Sequence, residues 1–482
     1  ALNSEISICQ TLDKYVGLAK DFYNKMSGYN ASEDTKVPES AAVGTRFTSG
    51  YLTYEVTGEG EVGLQHCDSS AEIVNIPECV FYDGVDYTVT SVMRHAFIEI
   101  VYGDVHHSNK KLKTVIIPHS VYSINNESFE YCSSLNSITI PNGVISIGED
   151  AFNGCNSLKS IIIPETIENI DSYAFWNNKG LESITILSNK VKLNYQIFDY
   201  CSNLEEIIIN EDNPNYCSVN GILYNKEKTE LIKCPKKNSD ICILDTTQVI
   251  GRHAFFRCSE LPNIIIPNSV TSIEAFAFSS CNGLTSIDIP NSVTHIREGA
   301  FYNCKNLTSI NLPFGISSIP SEMIEGCSNI ESIHIPDNVT WIGGFAFRNC
   351  TSIKNIVIPD NVSIIDGNAF NGCQNLTSIY IPKRTVYIGD EAFTDCSSLK
   401  DVYYSGNQSD WNKMSKGANN SYLKNATIHY NYSIHEHSYA EEITKQPTCT
   451  EEGEKTFTCD CGDTYTETIP AKGHTEVIDK AV

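Results

Sequence analysis

Apolar positions along most of the chain recur every 23 residues, a period that neither a helix nor an isolated strand would produce. Prolines that close an isoleucine-rich run stand at Pro267, Pro290, Pro313, Pro336, Pro359 and Pro382, and an earlier series stands at Pro118, Pro141 and Pro164. Leu187 and Asn210 keep that register without proline, and the steps through Pro235 to Pro267 carry short insertions. One unit reads L-x-x-I-x-I-P-x-x-V-x-x-I-x-x-x-A-F-x-x-C, filled in one copy by Leu135, Ile138, Ile140, Pro141, Val144, Ile147, Ala151, Phe152 and Cys155. The I-x-I step has period two and predicts a strand. Proline then ends it, having no N–H to give to a ladder, and PNGV, PNSV and PDNV supply turn chemistry. V-x-x-I and A-F fill the inside of a return path.

One such unit cannot bury its own apolar side chains, but stacked units bury each other's. The pattern therefore predicts a right-handed solenoid of about 14 rungs with a parallel sheet on one face. Ten of the 19 cysteines fall at a single repeat position: Cys132, Cys155, Cys201, Cys258, Cys281, Cys304, Cys327, Cys350, Cys373 and Cys396. In that setting cysteine is a small buried apolar residue, and the series is expected to be reduced. Asn178 interrupts it, with no compensating residue evident in the sequence. Disulfides or metal ligands would sooner come from the nine other cysteines.

The unit resembles the BspA-like class of leucine-rich repeats, over residues 71–431. LTYEVTGEGEV (52–62) and IPECVFYDGVDYTVTSV (76–92), with a hairpin at Asp83-Gly84, resemble that family's N-terminal cap. VYYSGNQSDWNKMSKGANNSYLKNATIHYN (402–431) resembles its C-terminal cap, anchored by Trp411. The resemblance implies an α/β repeat solenoid, a right-handed leucine-rich-repeat superhelix with β caps. The expected domains are an N-terminal helix and linker (1–43), a cap and first rung (44–110), repeats (111–400, with an insert at 210–250), a C-terminal cap (401–431) and a small module (432–482). Leu12, Tyr15, Val16, Ala19, Phe22 and Met26 have helical spacing, which predicts the N-terminal helix. Residues 437–474 resemble a small module recurrent in surface proteins of gut Firmicutes, and are read as mostly β.

Formal charge is −25, which disfavours nucleic acid and anionic membranes as partners. No apolar run approaches the roughly 20 residues of a membrane helix. The chain opens ALNSEISICQ, so a leader was removed or never existed. No P-loop, G-x-S-x-G, H-E-x-x-H or G-x-G-x-x-G occurs, so no catalysis and no cofactor are expected. His106-His107, beside Asp104, are read as solvated loop residues. His435, His437, Cys459, Cys461 and His474 are the residue types that hold zinc, with His437, Cys459, Cys461 and His474 as the candidate set. The C-x-C spacing departs from the C-x-x-C of the module it resembles. Zinc, a disulfide through Cys449, or neither all remain open.

The exposed column between the two inward isoleucines runs Thr139, Ile162, Thr185, Ile208, Ile265, Asp288, Asn311, His334, Val357, Tyr380, Tyr403. Its later half turns polar and then aromatic, so Asp288, Asn311, His334, Tyr380 and Tyr403 are the candidate ligand-binding residues. Alternatively, the two tyrosines only seal the last rungs. BspA-like proteins are associated with adherence to host matrix proteins and to other cells. The resemblance thus implies a secreted or surface-displayed adhesin, with host extracellular-matrix or cell-surface proteins or glycans as partners, and acting as a monomer. The second reading is a structural spacer.

Overall fold

The structure is a computed structural model that describes residues 39–68, 70–101, 105–194, 196–236, 241–261, 263–433, 439–447, 451–459 and 464–470. The predicted N-terminal helix and His435, His437, Cys461 and His474 lie outside the described residues, as does the side chain of Cys459. The chain divides into two units, residues 1–178 with 190–198, and residues 179–189 with 199–482.

The first unit starts with the meander Arg46–Ser49, Leu52–Gly58, Glu61–Cys67. Cys79–Tyr82 and Val85–Val92 then form the predicted hairpin, with Asp83 and Gly84 both at positive φ (47° and 84°), as a two-residue I′ turn demands. Val85–Val92 pairs in parallel with Glu61–Cys67, and the ladder continues through Ser123–Ile124, Ser146–Ile147, Asn169–Ile170 and Lys192–Leu193. These short strands are the V-x-x-I segments. The I-x-I segments build a separate parallel ladder, Ile73–Asn75, Thr114–Ile116 and Ser137–Thr139. The insertion containing His106 and His107 is a hairpin, Ile98–Val101 against Val105–Ser108.

The expectation of a parallel sheet on one face is thus corrected: most rungs contribute to two. The reason is backbone accounting. The return path also carries N–H and C=O groups that need partners, and the same segment one rung away is the nearest source.

The second unit repeats this plan. Its I-x-I ladders are Ser183–Ile186 with Glu206–Ile209, Ser286–Asp288 with Ser309–Asn311, and Asn355–Val357, Ser378–Ile381, Asp401–Tyr404, Thr427–His429. The other side carries Val249–Ile250, Ser272–Ile273 and His295–Ile296, then Ser318–Ile319 through Tyr387–Ile388 to Ser415–Lys416. The insert is a meander, Tyr216–Val219, Ile222–Asn225 and Glu230–Lys233, whose last strand joins Val249–Ile250 in parallel. Among the described residues the helices are Gln408–Lys413 and Ser421–Asn425, both in the C-terminal cap, so the α/β label is corrected: the described rungs are strand and turn. Trp411 is buried there, edge-on to Tyr404. A three-stranded antiparallel sheet, Tyr439–Lys445, Gly453–Cys459 and Thr464–Ile469, lies in the C-terminal region.

The A-F turn is held by a third set of bonds. Its residues before Ala and before Cys take positive φ, and most are not glycine: Glu127 and Tyr131 in one rung, Phe276 and Ser280 in another. Such backbone is unfavourable for bulky residues. Here it turns alternate N–H groups along the stack, so Phe276, Phe278 and Ser280 donate to the carbonyls of Glu298, Ala300 and Tyr302 in the following rung.

Inside each turn the phenylalanines stack. Phe129, Phe152 and Phe175 lie 5.1 and 5.4 Å apart in the first unit. Phe255, Phe278 and Phe301 lie 4.8 and 5.3 Å apart in the second. All ten periodic cysteines are buried and none is disulfide-bonded. Each thiol from Cys281 to Cys396 donates to the carbonyl 26 residues back, for example Cys304 Sγ to Phe278 O at 3.0 Å. Burial pushes the Cys396 thiol up to about 12.

Asn178 is not an uncompensated break in this series. Its Nδ2 donates to Phe152 O at 2.9 Å, the acceptor a thiol would use, and to Phe175 O at 3.0 Å. Its buried Oδ1 has no partner. Asn178→Cys should therefore change stability by less than about 1 kcal/mol, whereas Asn178→Leu, which strands the Phe152 carbonyl, should cost about 1–3 kcal/mol. Urea midpoints of the two variants check this.

Candidate binding surface

The strand register of the second unit places Asp288 beside Asn311, and Val357, Tyr380, Tyr403 and His429 in one continuous row. Asp288, Asn311 and His334 are exposed, and the Asn311 amide donates to the Asp288 carboxylate at 2.5 Å. His334 stands outside the paired strands. Two apolar members of the same column, Ile265 (86% exposed) and Val357, face solvent.

Tyr380 departs from expectation. It is only 6% exposed, with its hydroxyl donating to Asp360 at 3.0 Å. Tyr432, from the chain that follows the cap, lies 6.3 Å from the Tyr380 ring and 4.5 Å from that of Tyr403. Tyr403 also stacks on His429, which pairs with Asp401 at 2.8 Å. The aromatic end of the column is therefore a covered cluster, with Tyr403 half-buried and Tyr432 outermost. The sequence pattern could not show this, because Tyr432 and His429 lie beyond the last full repeat.

A different edge of the second unit, formed by its A-F turns, carries chemistry that the repeat pattern did not single out. Asp199 is 2% exposed and takes Lys233 Nζ at 2.5 Å and His253 Nδ1 at 2.6 Å. Burial alone would raise this carboxyl, but the Lys233 ammonium and His253 outweigh it and hold it below the usual range. Lys233 comes from the insert, which is why no repeat logic predicts the cluster.

In the first unit the equivalent edge is acidic. Asn153 Nδ2 donates to Glu130 Oε1 and Asp150 Oδ1, both at 3.0 Å. Burial, then Asp150 and Glu127, push Glu130 up to about 7, against the pull of Asn153 and Arg94. Burial, then Glu149, push Asp150 up to about 6. Both values are raised on folding, so these groups favour the fold at pH below their ordinary values, and that contribution disappears as pH rises through 6 and 7. Glu130→Gln should thus be more stable than the native chain at pH 8, with the gap closing by pH 5; urea midpoints at the two pH values check it. Among the described residues, no group of three His, Cys, Asp or Glu side chains is placed to hold a metal ion, and no helix is long and apolar enough to cross a membrane.

The BspA type leucine rich repeat region matches in six copies, over residues 101–219, 231–342 and 325–446. The chain belongs to the BspA-type leucine-rich repeat family. The chain is also similar to solved leucine-rich repeat structures. One from Eubacterium ventriosum is 21% identical, covers 73% of this chain and 94% of its own, and superposes with a TM-score of 0.54, which supports the fold. A leucine rich cell surface protein from Faecalibacterium prausnitzii is 24% identical over 77% of this chain and 97% of its own, with a TM-score of 0.48. A leucine-rich repeat protein from Bacteroides ovatus is 26% identical over 80% and 99%, with the same TM-score. Compared with the curated proteins, the chain finds no match. As a BspA-type repeat protein it has inward positions that recur from rung to rung and outward positions that do not, and this contrast bears on function.

Proposed function

We propose that the protein is an extracellular, surface-displayed binding protein that recognises a host protein or glycan through its rung faces and carries out no chemistry. One observation carries this reading. The buried positions repeat Ile, Val, Ala, Phe and Cys almost unchanged, while the exposed column beside them runs Ile265, Asp288, Asn311, His334, Val357. A scaffold that only held another domain at a distance would need no such diversity on an open sheet face. Membership of the BspA-type family supports the same reading. The binding residues proposed on this face are Asp288, Asn311 and His334, with Tyr403 at its covered end. The test is a screen of the purified chain against immobilised matrix proteins and glycans, repeated with Asp288→Ala/Asn311→Ala/His334→Ala. Retention of a ligand by the native chain and its loss from a variant of unchanged melting temperature is expected. A chain that retains nothing would instead be a spacer.

A further inference from the structure

The turn edge of the second unit presents a row of rings with two arginines beside it, and with Glu322 and Glu325 near its Tyr302 end. Tyr200 meets Phe256 at 5.1 Å, Phe256 meets His253 at 5.0 Å, His253 meets Phe276 at 5.6 Å, and Phe276 meets Tyr302 at 6.1 Å. Tyr200, Phe256, Phe276 and Tyr302 are all partly exposed. Arg257 lies 4.4 Å from the Tyr200 centroid and Arg252 lies 5.9 Å from that of Phe276, and both arginines are exposed. Among the described residues no carboxylate is within ion-pair distance of Arg257. The nearby Asp199 is buried and already met by Lys233 and His253.

We propose that this edge docks a uronate-bearing glycan, with the rings taking sugar faces, Arg257 taking a carboxylate and Arg252 adding positive charge beside Phe276. Backbone recognition is closed off here, because the N–H groups of Phe255, Arg257 and Phe276 already donate to the next rung. A partner must therefore be read by side chains. Rings roughly one sugar apart suit a chain of pyranoses better than a folded protein surface, and a guanidinium fork matches a carboxylate. The proposal rests on the reading of the protein as a binder but uses a surface separate from the Asp288 column.

The test is calorimetry on the full chain with a hyaluronan hexasaccharide, its methyl ester, maltohexaose and polyglutamate, at low and high salt. The hexasaccharide should bind. Esterification, high salt, and Arg252→Gln/Arg257→Gln should each weaken it by about tenfold or more, while Arg257→Lys in the otherwise native chain keeps part of the affinity. Asp288→Ala/Asn311→Ala/His334→Ala should leave it unchanged. No binding of the hexasaccharide, or equal binding by the double arginine variant, overturns the proposal. Tighter binding of polyglutamate overturns it in favour of an acidic polypeptide. Loss of the hexasaccharide only in the Asp288 variant also overturns it and moves the ligand to the sheet face, leaving the binding function intact. A chain that fails both here and in the matrix screen fails as a binder altogether.

Discussion

Phe301→Ala should lower stability by about 3–5 kcal/mol, and the loss should be local. The ring is fully buried and lies nearly parallel to Phe278 at 5.3 Å. On its other side the next rung offers Ile324 rather than a ring, so no aromatic neighbour can slide in to fill the void. The backbone at this point is shared as well: Phe301 N donates to Met323 O, and Cys327 Sγ donates to Phe301 O at 3.1 Å. A cavity here thus weakens the rung before and the rung after. In a linear array such a loss acts chiefly on nearest neighbours. Hydrogen exchange should accelerate across 278–327 and change little across 124–175. Uniform acceleration along the chain would contradict the nearest-neighbour account.

Lys233→Met is expected to cost a similar amount, about 3–5 kcal/mol, because it leaves a buried carboxylate short of its main counter-charge. Asp199 keeps only His253 in that variant. The pH dependence distinguishes this from simple loss of packing. With Lys233 present, the Asp199 carboxyl is held low, and the stability this gives is present above its ordinary value and lost as pH falls through the folded one. Without Lys233, burial dominates and raises the carboxyl, so the deficit should be full at pH 7 and shrink towards pH 4, where the group is protonated. Adding Asp199→Asn should recover part of the loss at pH 7. A deficit that is equal at both pH values would assign the effect to packing alone. Urea denaturation of the native chain and the two variants at the two pH values is the measurement.

The repeat was legible because burial imposes it: the positions filled by Ile140, Val144, Phe152 and Cys155 in one copy are buried and hold the same residue types in most others, since like neighbours demand like fillers. The Asp83-Gly84 hairpin was legible from local turn chemistry, and the Trp411 anchor from the resemblance of 402–431 to a family cap. The second ladder was not, since a strand of two residues such as Ser146–Ile147 leaves no alternation to detect. Nor were the left-handed residues, because Phe276, Tyr131 and Arg257 are not residue types that advertise positive φ. Their conformation is set by the hydrogen bonds of the neighbouring rung, which no single unit encodes. On the candidate surface, period-two alternation put Asp288, Asn311 and His334 outside correctly, but it could not see Tyr432 close over Tyr380 and Tyr403. The Asp199–Lys233–His253 cluster escaped for the opposite reason: two members are in rungs and the third arrives on the insert.

Stability assigned to inward positions and recognition to outward ones is the central claim, and a hydrogen-exchange footprint tests it most directly. The chain is compared with and without the matrix protein or glycan that it retains in the screen. Added protection should map to the open strands of the second unit, 286–288, 309–311 and 355–357, or to the turn edge at 252–257 and 276, with the buried phenylalanine turns of the first unit unchanged. Protection confined to the sheet at 439–469, or absent while the ligand is bound, would contradict it.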